Sequence, residues 1–209
     1  MPQRLVYLVD DDMDVRRALA FELAGHGVDA WPFSDGSEFL QEIGRLRPAC
    51  LLVDMGMPNL GGLDLIAEME RLDLHWPVIA LSGRHDIPVA VEAMKRGATD
   101  FLEKPVDSNA LMRALERAFT ILDQRIREQE SRQAARERFL TLTAREFDVS
   151  AALFSGNPNK AVAHRLGISV RTVEKHRASI MAKLGVRSLA EAVVIASQAG
   201  VPFGQRECA

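Results

Sequence analysis

At 209 residues the chain is long enough for two domains with separate cores, and its 47% hydrophobic and 26% charged content is that of a globular protein. No apolar run approaches the roughly 18 residues of a membrane helix, and the first residues lack the charged stretch and apolar core of a secretion signal, so a cytoplasmic protein with no membrane association is expected. The net charge of −3 conceals an asymmetry: residues 1–120 hold 12 Lys/Arg against 20 Asp/Glu, net −8, and residues 121–209 hold 14 against 9, net +5. An acidic half suits a cation and a basic half suits a polyanion.

In chain order, short apolar runs at residues 5–9, 28–33, 51–53, 78–81 and 101–103 are expected as strands, and amphipathic stretches at 13–24, 36–44, 62–69, 87–95 and 107–118 as helices. Five strand-helix repeats predict an α/β domain over residues 1–120, a doubly wound (βα)5 parallel sheet of flavodoxin-like type covered on both faces. Ligands on such sheets sit outside the carboxyl ends of the strands, where the strand order reverses. The strands run into Asp10-Asp11-Asp12, Asp54, Ser82 and Lys104. Two carboxylates ~4 to 5 Å apart repel by roughly 3 to 4 kcal/mol at an effective dielectric of about 20, so this edge reads as a divalent-metal pocket with Lys104 as a second positive charge. Cys50, in an apolar run, and Cys208, in the tail, read as free thiols.

The spacing Leu111, Leu115, Phe119, Leu122, Ile126 carries the last helix outward, and the charged and Gln-rich residues 127–138 read as a solvated helical spacer within a linker over 121–139. From residue 140 the pattern is all-α. Thr143-Ala-Arg-Glu146 is a capping box opening a helix to about Phe154, Pro158 suits a first helical position, Gly167 ends that helix, Ser169 caps the next, Gly185 ends it and Ser188 opens the last. Four helices over 140–209, two of them joined by a short Gly turn and the second carrying Arg171, Lys175, Arg177 and Lys183, predict a helix-turn-helix domain.

Other chemistries fail on spacing. An EF-hand starting at Asp10 would place Val15 where Gly is needed and Phe21 where the bidentate Glu belongs. A haloacid-dehalogenase-type phosphatase motif would have to lie at Asp12-Met13-Asp14-Val15, inside a predicted helix, and no P-loop occurs. A metal-dependent phosphatase would also need a general base near Asp54, where only His85 is available.

Val9-Asp10-Asp11, Asp54-Met-Gly-Met-Pro58, Ser82-Gly83 and Lys104-Pro105, in this order and spacing, resemble the receiver domain of bacterial response regulators. The resemblance implies phosphorylation of Asp54 by a histidine kinase. It also implies Mg2+ held by Asp10, Asp11, Asp54 and the backbone carbonyl of Gly56. Lys104 and Ser82 would bind phosphoryl oxygens, with Ser82, lacking a strong partner in the pocket beforehand, and Phe101 moving as a switch. Asp12 is expected as an N-cap, and Asp14, Asp100 and Asp107 as solvated or capping groups. Gly56 lacks the bulkier side chain of many relatives, which would leave an acyl phosphate open to water.

Leu142-Thr-x-Arg145-Glu146, Asn159-Lys160, Ile168-Ser169-x-Arg171-Thr172-Val173-Glu174-x-His176 and Lys183-Leu184-Gly185-Val186 resemble the LuxR-type output domain of FixJ/NarL regulators. On its second helix, Val170, Val173, Ile180 and Leu184 are expected to be buried, and Arg171, Glu174, Lys175 and Ala178 to face the groove. Glu174 and Lys175 are then candidate base contacts, and Asn159, Lys160, Thr172, His176 and Lys183 candidate phosphate contacts. Leu189, Ala192, Val193 and Ala196 form a stripe divided between core and dimer surface. The expectation is a transcription regulator that dimerises on phosphorylation, binds promoter DNA and meets RNA polymerase. A receiver controlling a protein- or RNA-binding output is the alternative.

Overall fold

The computed structural model describes residues 4–83 and 86–201; Arg84, His85 and Cys208 lie outside the described residues. The chain divides into two compact units, Met1–Ile126 and Arg127–Ala209.

In the first unit β1 (Leu5–Val9), β2 (Asp29–Phe33), β3 (Cys50–Asp54), β4 (Val78–Ser82) and β5 (Asp100–Glu103) form one parallel sheet in the order β2-β1-β3-β4-β5. Successive strand residues alternate between two cores, as the two-residue period of a strand requires. Tyr7, Val9, Leu51, Val53, Val78 and Ala80 pack on one face against α2 (Gly36–Glu42), α3 (Gly62–Arg71) and α4 (Ile87–Lys95). Val6, Leu8, Cys50, Leu52, Ile79 and Leu81 pack on the other against α1 (Met13–Gly25) and the first turns of α5 (Ser108–Leu140). Burial on both faces explains why β3 and β4 read as unbroken apolar runs. The helix expected over 36–44 stops at Glu42 and tightens into a 3-10 turn, Ile43–Arg45. Tyr7, Phe33, Phe39 and Trp76 form a ring cluster, and Trp31 stacks on Phe33.

The second unit packs α6 (Ala144–Phe154), α7 (Asn159–Leu166), α8 (Val170–Leu184) and α9 (Leu189–Gln198) around Val149, Leu153, Val162, Val173, Ile180, Leu184, Ala192 and Ala196. Its boundaries follow local rules. Thr143 and Glu146 form the capping box, Ser169 and Ser188 accept the N–H groups of Thr172 and Glu191, and Gly167 (φ 65) and Gly185 (φ 68) end α7 and α8 in the left-handed region. Pro158 is the N-cap of α7, one place earlier than expected.

Residues 127–138 are helical, as part of α5, and exposed except for Ala135, so the solvated helical spacer differs from the expectation at its buried positions alone. Leu122 is buried in the first unit's core, whereas Ala135 and Phe139 are buried in the second unit's core. α5 also supplies guanidinium groups to helix C-termini: Arg136 Nε donates to Ala199 O and Arg138 Nη1 to Leu184 O, each at 3.3 Å. Arg145 does the same for Leu166 O at the end of α7. These carbonyls lack intrahelical donors, so each guanidinium satisfies an orphan acceptor at the negative end of a helix.

Candidate functional site

β1 and β3 are hydrogen-bonded neighbours with Val9 opposite Val53. Asp10 and Asp54 therefore leave the sheet side by side at the point where the strand order reverses. One oxygen each of Asp10, Asp11 and Asp54 lies within 4.8 Å of the others; Asp10 and Asp54 are buried and Asp11 is exposed. Lys104 follows β5, whose end is drawn to β4 by Lys104 N–H donating to Ser82 O at 2.7 Å. Its ammonium lies 2.7 Å from Asp10 Oδ2 and 2.7 Å from Asp54 Oδ1. The remaining oxygens are held by backbone: Asp10 Oδ1 accepts from Asp12 N–H at 2.9 Å and Asp54 Oδ2 from Gly56 N–H at 3.1 Å. Arg16 Nη1 donates to the Asp10 carbonyl.

Burial pushes the Asp10 carboxyl above its ordinary pKa, against the opposing pull of its Lys104 bond. Burial also works against the Lys104 charge, yet its bonds to Asp10 and Asp54 hold the ammonium above its usual value. Carboxylate oxygens no more than 4.8 Å apart repel by at least about 3.5 kcal/mol per charged pair at an effective dielectric of ~20. Among the described residues one ammonium is shared between two of the three carboxylates, which leaves a charge deficit for a cation to fill. A donor set made wholly of oxygens fits a hard divalent cation such as Mg2+, which binds through few carboxylates and keeps water.

Ser82 ends β4 beside the pocket and is buried. Its hydroxyl takes a partner outside the pocket: Oγ donates to Asp86 Oδ2, at the start of α4, at 3.1 Å. Phe101 lies in β5 opposite Ala80, half-buried against the sheet core. Asp12 caps α1, and Asp107 accepts from Ala110 N–H. Asp100 pairs with Arg117, and Asp14 is exposed. His85, the base a phosphatase would need, falls outside the described residues.

In the second unit α8 turns Val173, Ile180 and Leu184 inward, while Arg171, Glu174, Lys175 and Ala178 are exposed along one face. Val170 is corrected: it is 40% exposed, not part of the buried stripe. Lys160 is exposed on α7, and Asn159, Thr172 and His176 are half-buried; the Thr172 hydroxyl pairs with that of Ser169 at 2.8 Å. Lys183, a candidate phosphate contact, is a third exposed and already holds an ion pair within the unit. Its Nζ lies 2.6 Å from Oε2 of buried Glu146, whose Oε1 accepts from Ser179 Oγ at 2.6 Å. These bonds hold the Glu146 carboxyl down at about 2. Glu146 is thus more than a cap: it ties α6 to α8. On α9, Ala192 and Ala196 are buried, Leu189 and Val193 half-buried, and Val194 faces solvent.

Sequence reasoning missed Asp86, Ser179, Arg136 and Arg138. Ser179 and Lys183, four apart on one helical face, were a visible pair, but their partner is on another helix. For Asp86, the first signal is the hydrogen bond itself.

A five-stranded parallel sheet in this order, with a buried aspartate, two further acidic residues and a lysine at the β1/β3 edge, defines a receiver domain. Residues 6–116 match the response regulator receiver domain family, and residues 140–196 match bacterial regulatory proteins of the luxR family. The chain is 40% identical over 202 residues to the transcriptional regulatory protein FixJ of Azorhizobium caulinodans, covering 96% of each chain. Against the FixJ of Rhizobium meliloti it is 38% identical over 200 residues, covering 96% of this chain and 98% of that one. Among solved structures it is similar to response regulator StyR, with a TM-score of 0.81 at 36% identity, covering 94% of this chain and 99% of that one. Full-length FixJ from B. japonicum has a TM-score of 0.59 at 35% identity, covering 97% and 100%. The chain belongs to the FixJ-like two-component response regulators, with a receiver domain and a LuxR-type DNA-binding domain. This is a family of transcriptional regulators rather than enzymes, in which the receiver implies a kinase partner and the output domain implies DNA. Among the described residues no helix is long and apolar enough to cross a membrane.

Proposed function

We propose that Asp54 is the phosphoacceptor of a histidine kinase and that its phosphorylation controls promoter binding through α8. The observation that carries this reading is the buried Asp54 carboxylate, paired with Lys104 and beside Asp10 and Asp11. An Asp54 oxygen attacks the phosphorus of a phosphohistidine, a P–O bond forms as the P–N bond breaks, and the imidazole leaves with the electron pair. Asp10, Asp11, Asp54 and the Gly56 carbonyl would hold Mg2+, which when bound offsets negative charge on the transferring phosphoryl oxygens. Lys104 then pairs with one phosphoryl oxygen and Ser82 donates to another, while Phe101 moves toward the space Ser82 leaves. The same pocket supports self-catalysed autodephosphorylation.

Dimerisation is supported by α4, where Ile87, Val91 and Met94, on one helical face, are 71%, 48% and 47% exposed. Arg171, Glu174 and Lys175 would enter the major groove. Lys160, with Asn159, Thr172 and His176, would contact phosphates. RNA polymerase, met at the promoter in the cytoplasm, completes the reading.

Incubation with acetyl phosphate and Mg2+ should add one phosphoryl group to the wild-type chain and none to Asp54→Asn. Sedimentation should show a dimer only in the phosphorylated form, and gel shifts should tighten with it. An unmodified Asp54 with intact neighbouring carboxylates would overturn the reading.

A further inference from the structure

Asp86 immediately precedes α4, where an aspartate ordinarily accepts the helix's own free N–H groups. Its side chain makes no such bond, although its backbone carbonyl accepts the first helical hydrogen bond, from Ala90 N–H at 3.0 Å. The carboxylate turns back to the end of β4 and accepts the Ser82 hydroxyl at 3.1 Å. Asp12, Asp35, Thr143, Ser169 and Ser188, at the starts of α1, α2, α6, α8 and α9, all use their side chains as caps. Pro88, at the second helical position, has no N–H to offer, and instead of the remaining Val89 N–H the Asp86 carboxylate takes the Ser82 hydroxyl.

A serine hydroxyl carries one proton. Ser82 can donate it to Asp86 or to a phosphoryl oxygen on Asp54, but not to both. We propose that Asp86 is a positioning residue for the phosphoryl switch: a latch that holds the Ser82 hydroxyl away from the pocket and biases the receiver toward its unphosphorylated arrangement. This rests on Asp54 being the phosphoacceptor. The bond ties the end of β4 to the start of α4, so its exchange for a phosphoryl oxygen releases the N-terminus of the helix whose apolar face is exposed. Because the bond exists only in the unphosphorylated state, its strength is subtracted from the affinity for any group that must recruit Ser82. A hydrogen bond to a charged acceptor makes that difference on the order of tenfold.

The test is a double-mutant cycle on the full-length chain, with beryllium fluoride as the acyl-phosphate mimic, Mg2+ present and bound fluoride read by fluorine NMR. Asp86→Ala should tighten binding roughly tenfold when Ser82 is present and by less than about twofold in a Ser82→Ala background. Asp86→Asn, which keeps an acceptor but loses the charge, should give an intermediate gain. Equal effects in both backgrounds would show that Asp86 acts on the anion by charge alone and would overturn the latch. So would wild-type binding that Asp86→Ala leaves unchanged. Failure of the wild-type chain to bind beryllium fluoride and to label with acetyl phosphate would instead overturn the phosphoacceptor reading, and the latch with it.

Discussion

Glu146→Gln isolates the bridge between α6 and α8. Glu146 is buried and accepts from Lys183 Nζ and Ser179 Oγ at 2.6 Å each, and from Thr143 N–H at 2.8 Å. The Lys183 and Ser179 bonds, with the Thr143 backbone, lower its pKa from 4.5 to about 2. At 1.36 kcal/mol per pKa unit the bound is about 3 kcal/mol, and screening through the partly open Lys183 side reduces it to about 2 kcal/mol. The folded pKa lies below the unfolded one, so this stability is fully present above pH 4.5 and lost as pH falls from there toward 2. The chain has 2 Trp and 1 Tyr, Trp31, Trp76 and Tyr7, all in the first unit. Tryptophan fluorescence therefore follows the receiver alone, whereas far-UV circular dichroism follows both units. In urea, Glu146→Gln should shift the dichroism transition at neutral pH and leave the fluorescence transition in place. The gap between wild type and variant should close as pH falls below 4.5. A gap independent of pH, or a fluorescence transition that moves equally, would refute the reasoning.

A fragment beginning at residue 140 loses Phe139 and Ala135 from the core and the Arg136 and Arg138 bonds to helix ends; it should be less stable by about 3 to 5 kcal/mol than a fragment beginning at 127, measured by urea denaturation. Gly56→Arg should lengthen the phosphoryl lifetime several-fold, because a Cβ there would sit 3.4 Å from Asp54 Oδ2 and the added side chain is expected to shield the acceptor from water; an unchanged or faster decay of label would discard this idea. Lys175→Ala should lose about 1 to 3 kcal/mol of discrimination at one base position. Lys160→Ala should weaken binding to all sequences alike and reduce the salt slope by about one, both read by titration of operator variants.

Much of this molecule was legible in its residues because the signals are local. The strand runs, the capping box at Thr143 and Glu146, and the glycines that end α7 and α8 depend on neighbours within a turn or a strand, and they recur in the structure within a residue or two. The acidic edge was legible for the same reason: a parallel sheet puts the residues after its strands on one side whatever the packing details. What only the tertiary structure decided is which partner each polar group takes. Lys104 bonds Asp10, 94 residues away, Lys183 pairs with Glu146, Ser82 is held by Asp86, and Ala135 and Phe139 of the otherwise exposed end of α5 join a core. A hydrogen bond or a buried ring depends on distances of a few ångströms set by how whole helices dock. Periodicity along the chain records which face a residue occupies, not what stands opposite it.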